Sequence, residues 1–297
     1  MRSAIYQWNL IDGYLLDKLV EGTEILRLPA SERVDVSEIL NAVASSVRYF
    51  IFHLDLSCDS FLQRPHARRC LIDALTGAGI RVINAGVVNI TKRSIHRQNR
   101  LAGLPDSSAN QYGPGDERLI VKTDLNSGGN PEYFSLGRAL NPIISGPADY
   151  RILARRDIPD EWWSIDELDI ERFIANKDDE FYRFYLFGPY VVVSEAWSDR
   201  EIKRMDGTCP QNNHTLSLAE IVDLEVAENG AWVGAAKTGS TFARSFGLGY
   251  GAIDIMRDDL GQFFVIDVNK TPYWGADIEN EITVHLRSLL THDERRC

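Results

Sequence analysis

The sequence predicts an α/β protein, an N-terminal α/β domain followed by two α+β lobes, and three observations carry that reading. Short apolar runs and amphipathic segments interleave through residues 1–86, the order expected where helices cover a parallel sheet. In "EFYRFYLFGPYVVVSEAW" two apolar runs meet at Gly188-Pro189, an antiparallel pair with its turn. Near the C-terminus "AIDIM" and "FFVIDVN" flank the six residues "RDDLGQ", a second hairpin. At 297 residues with 44% hydrophobic content the chain is long enough and apolar enough to fill more than one core. The expected domains are 1–88, 89–168 and 169–297.

In the first of these, "AIYQW", "YLLDKLVE", "TEILRL", "SEILNAVASSV", "RYFIFHLDL", "RRCLIDALTGAG" and "RVINAG" follow one another. Next, "TKRSIHRQNRLAGLP" predicts a helix: Thr91 caps it, Leu101 and Ala102 close its apolar stripe, and Gly103 and Pro105 stop it. "ERLIVKTDLNSGGNPEYF" reads as a hairpin, an apolar strand, a Gly-rich loop and an aromatic strand start. Residues 135–165 hold Pro142, Pro147 and Pro159 and read as irregular, and regular structure resumes in "DEWWSIDELDIERFI". "LSLAEIVDLEVAENG", "AWVGAAKTGSTFARSFGLG" and the closing "ENEITVHLRSLL" read as helices.

Charge and composition narrow the function. The net charge of -11 opposes tracking along nucleic-acid backbones, and no nucleic-acid partner is expected. Cys58, Cys70, Cys209 and Cys297 lack metal or disulfide spacing, so reduced thiols in a cytoplasmic protein are expected. Asp12, Asp17 and Lys18 interrupt the N-terminal apolar stretch; neither a signal peptide nor a membrane span is expected. The six histidines are dispersed, and neither His96 nor His214 is given a role.

The chemistry concentrates near the C-terminus. Residues i and i+2 of a strand share a face, about 7 Å apart, so Asp267 and Asn269 point together while Phe264, Ile266 and Val268 point into a core. If Ile253 and Ile255 lie beside Ile266 and Val268, Asp254 joins that face. Two carboxylates under partial burial repel unless a cation lies between them, and three oxygen donors suit Mg²⁺. Solvated strand residues with Asn269 opening a turn fit the same letters.

"AIDIM", a turn and "VIDVN", with Pro272 after two intervening residues, resemble the C-terminal signature of the ATP-grasp superfamily, where Asp, Glu and Asn hold Mg²⁺ on nucleotide phosphates. Asp267 stands where the family usually has Glu, leaving open one bound metal or two. The resemblance extends upstream. Lys92, opening "KRSIHRQNRLAGLP", is implied near the phosphates, and Lys122 in "LIVKTDLNSGG" at the α- and β-phosphates, with Ser127, Gly128 and Gly129 folding over them. "DIERFI" resembles the segment joining the lobes, implying Glu171 and Arg172 near adenine, with Glu180 on the ribose hydroxyls. Arg183, and Arg204 in "EIKRMDG" with Asp206 where Asn is usual, are the implied catalytic arginines.

The resemblance implies two lobes holding ATP between them and an ATP-dependent ligase. It would activate a small-molecule carboxylate as an acylphosphate for attack by an amine or other nucleophile, with a peptide among the candidate partners. Mg²⁺, or Mn²⁺ in its place, is the implied cofactor, and a homodimer is a candidate assembly. A phosphotransferase and a non-catalytic nucleotide binder of the same fold are the alternatives.

Overall fold

The computed structural model describes residues 2–7, 14–19, 24–31, 34–43, 47–61, 64–204, 209–273, 282–284 and 286. Three sheets organise them. The first takes β1 (Arg2–Gln7), β2 (Glu24–Pro29), β3 (Val47–His53) and β4 (Arg81–Ile83) in the order β2-β1-β3-β4, every pair parallel. Its connections carry α1 (Leu15–Leu19), α2 (Val36–Val43) and α3 (Pro65–Gly77). The alternating runs of the N-terminal segment thus fold as the α/β unit they predict.

Strand β1 shows why. Ala4 and Tyr6 pack on one face with Val43, Leu71 and Leu75, while Ile5 packs on the other with Leu15, Ile51 and Tyr250. A strand covered on both faces reads as a continuous apolar run. The second face meets the C-terminal part of the chain, since Tyr185, Phe187 and Val192 belong to the same cluster as Ile5.

Helix α4 (Lys92–Leu101) begins as predicted, with Thr91 Oγ1 accepting from the Ser94 amide at 3.4 Å. Its buried face is Lys92, Ile95, His96 and Asn99, and Leu101 is 68% exposed. The predicted apolar stripe ending at Leu101 is corrected: at about 100° per residue, Leu101 lies roughly opposite Lys92, in the middle of the buried face.

The second sheet has β5 (Arg118–Thr123) between β6 (Arg151–Ala154) and β7 (Leu168–Arg172), both antiparallel to it. The hairpin expected at 117–134 is also corrected. "NPEYFSL" forms α5 (Asn130–Leu136), and β5 pairs with β6 instead. Pro131 starts the helix with its preset φ, and left-handed Gly129 and Gly137 bracket it. Strand β7 starts at Leu168, so the third strand of this sheet occupies residues the sequence reading assigns to the C-terminal lobe.

The third sheet is antiparallel throughout: β8 (Glu180–Phe187), β9 (Tyr190–Trp197), β10 (Gln211–Ser217), β11 (Tyr250–Arg257) and β12 (Phe263–Asn269), in the order β10-β9-β8-β11-β12. Its β8–β9 and β11–β12 hairpins are those the sequence predicts. Strand β10 is unforeseen, because "QNNHTLS" is a largely polar edge strand with no apolar alternation. "LSLAEIVDLEVAENG" yields only α6 (Glu220–Asp223) and α7 (Val226–Asn229), whereas α8 (Ala231–Phe246) is a full helix. Of the predicted C-terminal helix, residues 282–284 and 286 are helical and the others lie outside the described residues, as does Cys297. No helix among the described residues is long and apolar enough to cross a membrane.

Helix α8 lies close on the sheet because it presents glycine. A Cβ on Gly239 would stand 2.6 Å from Cγ of Phe184, whose ring is fully buried. Gly239→Ala is expected to cost about 1–3 kcal/mol, as overpacked cores do, read as a lower urea midpoint. An unchanged midpoint would mean that the helix can stand off from β8 without loss.

Candidate active site

The carboxylates meet on β11 and β12. Asp254 lies directly opposite Asp267, and the register then slips by one residue, pairing Ile255 with Val265. This bulge leaves Ile266 as the extra residue. Val265 and Val268 therefore enter the core beside Ile253 and Ile255, while Ile266 turns to a slot shared with Lys122. The expectation that Ile266 points into the core is corrected, because two bulged residues oppose one partner and break the alternation.

Each carboxylate already has its own cation. On the neighbouring strand β8, Arg183 sits opposite Asp254 and grips both its oxygens, Nε at 2.5 Å and Nη2 at 2.7 Å. Burial alone would lower the Arg183 pKa, but the Asp254 charge raises it above the usual arginine value. Lys92, only 2% exposed, reaches Asp267 Oδ1 from α4. The repulsion that the sequence reading assigns to an intervening cation is thus offset by protein side chains.

The donors still suit Mg²⁺. Asp267 Oδ1 also accepts from the Val268 amide at 2.8 Å, while Oδ2 has no protein partner among the described residues. Asn269 Oδ1 accepts from the Thr271 amide at 2.9 Å, which fixes its orientation. Hard oxygens with spare lone pairs on Asp254, Asp267 and Asn269 match what Mg²⁺ takes.

Lys122 of β5, 6% exposed, approaches β12 from the three-stranded sheet. Its Nζ is 2.5 Å from Glu171 Oε1 and 3.5 Å from the Ile266 carbonyl, so it spans from the three-stranded sheet to β12. Glu171 Oε2 accepts from Ser107 Oγ at 3.1 Å. Beside this pair lies His96: Nδ1 is 2.7 Å from Asp106, and Nε2 is 3.3 Å from both Asp169 and Glu171. Burial opposes the His96 charge, yet bonds to the three carboxylates push its pKa up to about 11. Burial likewise opposes the charge of Lys122, but Glu171 and Asp169 raise it above the usual lysine value. Asp169 is pushed up to about 6 by burial and by Glu171, while Glu171 is held low against burial by Lys122 and His96.

His96, Asp169 and Glu171 have metal-ligand chemistry within 4.8 Å of one another. Imidazolium and ammonium already supply the positive charge there, so the trio is an ion network. Sequence reasoning considered His96 for the neighbourhood of the site but gave it no role, and missed Asp169, although Asp169 and Glu171 at i and i+2 in a strand share one face.

An apolar slot between the two antiparallel sheets is lined by Ile120, Phe173, Ile174, Ile202, Met256 and Ile266, with Lys122 and Glu171 also on its wall. Arg172 also lines this slot, exposed and donating to the Asp106 carbonyl; other predicted residues are less gathered. Glu180, 8% exposed, accepts from Arg257 at 2.7 Å. Ser127 is exposed at φ 49°, while Gly128 is buried where a Cβ would lie 2.5 Å from Gly146 Cα. The loop is pinned further by the Asn126 amide on Ser57 Oγ at 2.8 Å. Arg204 is exposed, donates to the Pro147 carbonyl, and touches neither Arg183 nor the carboxylate pair among the described residues. Asp206 lies outside the described residues.

Directly after Asn269, Lys270 is 1% exposed and pairs with Asp59, which also binds Arg68 at 2.6 Å. This joins the segment between β3 and α3 to the end of β12.

No family model matches the sequence, and no curated protein matches it either. Solved structures do resemble the fold. The ATP-grasp ligase PsnB, complexed with a minimal precursor, superposes at TM-score 0.56 with 14% identity over 100% of both chains. PsnB with a phosphomimetic variant of that precursor, Mg and ADP gives 0.53 and 14%, covering 98% of each chain. The L-amino acid ligase from Bacillus licheniformis gives 0.50 and 11%, over 91% of this chain and 66% of that one.

Proposed function

This chain has the ATP-grasp fold, and from that premise we propose that it is an ATP-dependent ligase that activates a carboxylate as an acylphosphate and joins it to an amine or other nucleophile. One observation carries most weight. Lys122 of one sheet reaches the Ile266 carbonyl of another, next in the chain to Asp267, whose cross-strand partner is Asp254, and Lys122 and Ile266 both line the apolar slot. A flat base in the slot with its phosphates running toward Lys122 uses both features.

In this reading a carboxylate oxygen attacks the γ-phosphorus of ATP, the bond to the β-phosphate oxygen breaks, and ADP leaves. The nucleophile then adds to the acyl carbon, the C–O bond to phosphate breaks, and phosphate departs. Such chemistry asks the protein mainly for placement and charge. Lys122 would take the α- and β-phosphates, and the Ser127–Gly129 loop would fold over them. Mg²⁺ bound by Asp254, Asp267 and Asn269 would supply charge neutralisation at the β- and γ-phosphates. Arg183, aligned by Asp254, faces the reacting carboxylate. Lys92 acts through Asp267, and Arg204 joins only on leaving the Pro147 carbonyl. Glu171 and Arg172 lie at the adenine end; Glu180 takes the ribose on releasing Arg257.

The test is thermal unfolding with and without a non-hydrolysable ATP analogue, each with and without Mg²⁺. A ligand at 100 times its Kd stabilises by about 2.7 kcal/mol, so the melting temperature should rise only with both present. No shift at saturating nucleotide would overturn the reading. ADP release dependent on acid and nucleophile together marks a ligase, and phosphate retained on an acceptor marks a phosphotransferase. Nucleotide binding without ADP release marks a binder. Peptide acceptors belong in the screen because PsnB is also seen complexed with a precursor peptide.

A further inference from the structure

Helix α4 bridges two sheets. On one side Asn99 Nδ2 donates to the Val265 carbonyl of β12 at 3.0 Å. On the other, Arg93 donates to the Ile165 and Leu168 carbonyls at 3.1 and 3.0 Å, at the start of β7. His96 therefore carries its ring from a helix anchored on the five-stranded sheet into the three-stranded one. It is 4% exposed, and each ring nitrogen faces a carboxylate. A histidine that donates from both nitrogens is the imidazolium.

The charges around it are Asp106, Asp169 and Glu171 as acceptors, Lys122 on Glu171, Arg100 on Asp106, and Asp124, whose carboxyl feels His96 electrostatically. Asp169 lies in register opposite Lys122 and shares a face of β7 with Glu171. Without His96, both carboxylates would turn on the one ammonium left between them. Buried opposite charges bind strongly unless shared.

We infer that His96 is a positioning residue of the nucleotide site: as the second cation on Asp169 and Glu171, it leaves Lys122 engaged by a single carboxylate and therefore open to a nucleotide phosphate. The inference rests on the ATP-binding reading above and extends it to a residue that touches no nucleotide.

The experiment is calorimetric titration of the full chain with a non-hydrolysable ATP analogue and Mg²⁺. Wild type, His96→Gln, Asp169→Asn and the double variant are compared, each with its melting temperature. Glutamine keeps a donor and removes the charge. His96→Gln should weaken binding about tenfold or more, a coupling of the size seen within one charge network. His96→Gln/Asp169→Asn, which removes one charge of each sign, should return to within about threefold of wild type. Asp169→Asn alone should bind at least as tightly as wild type.

Wild-type affinity in His96→Gln would overturn the inference. Loss of affinity that the second substitution does not restore would also overturn it, as a packing role. If His96→Gln does not fold, the other two variants decide, and weaker binding by Asp169→Asn sinks the inference. Failure of the wild type to bind removes the ATP reading itself, and the inference with it.

Discussion

Asp267→Asn is expected to reduce Mg²⁺-dependent ADP formation by roughly 100-fold or more, the scale on which a lost charge-stabilising group acts. Asparagine keeps the size and one oxygen but loses the negative charge that pairs with Lys92 and that the proposed Mg²⁺ site requires. The same variant should melt earlier. Lys92 is 2% exposed with Asp267 as its carboxylate, so the substitution leaves a buried ammonium unpaired. Asp267 is partly exposed, and water offsets part of that cost. Asp267→Glu, which retains the charge, should keep more activity than Asp267→Asn. Comparing ADP release and melting temperature across the pair separates the metal role from the fold. Wild-type turnover by Asp267→Asn would remove Asp267 from the site.

The largest loss of stability is expected from Asp59→Ala. Asp59 is 2% exposed and holds both Lys270, at 1%, and Arg68, at 3%. Breaking a buried pair from one side costs about 3–5 kcal/mol, since the remaining charge is left without compensation. Arg68 keeps the Asn84 and Ala85 carbonyls at 2.7 and 3.1 Å and stacks 3.8 Å from the Phe52 ring centroid. Lys270 has no second side-chain partner among the described residues, so it bears most of the loss. Urea denaturation should show a clear fall in midpoint. Asp59→Asn, which keeps an acceptor, should fall less. A midpoint unchanged in Asp59→Ala would mean that Lys270 finds water or another anion.

Several elements of the site were legible because their signals are local. Thr91 before "KRSI" marks a capped helix start, and a lysine inside "LIVKT" stands out against its apolar neighbours. "AIDIM" and "FFVIDVN" place Asp254 and Asp267 on facing strands once a turn joins them. Local signals also misled. "NPEYF" has aromatic residues that favour strands, yet the glycines and proline around it close a helical turn. Strand β10 exists because β9 offers it a free edge, which no periodicity in "QNNHTLS" announces.

By itself the sequence determined the parallel N-terminal sheet with its helices, the two C-terminal hairpins, the capped helix at Lys92 and the oxygen-bearing strand ends. Each follows from residues within a few positions of one another. Tertiary structure alone decided which charge meets which. Lys92 reaches Asp267 across 175 residues, and Lys270 reaches Asp59 across 211. It also decided the bulge that turns Ile266 to the slot and the His96 network around Lys122. Hydrophobic period and turn chemistry act through adjacent backbone. The partner of a buried charge is set by which strands and helices pack together, after the chain has closed its long loops.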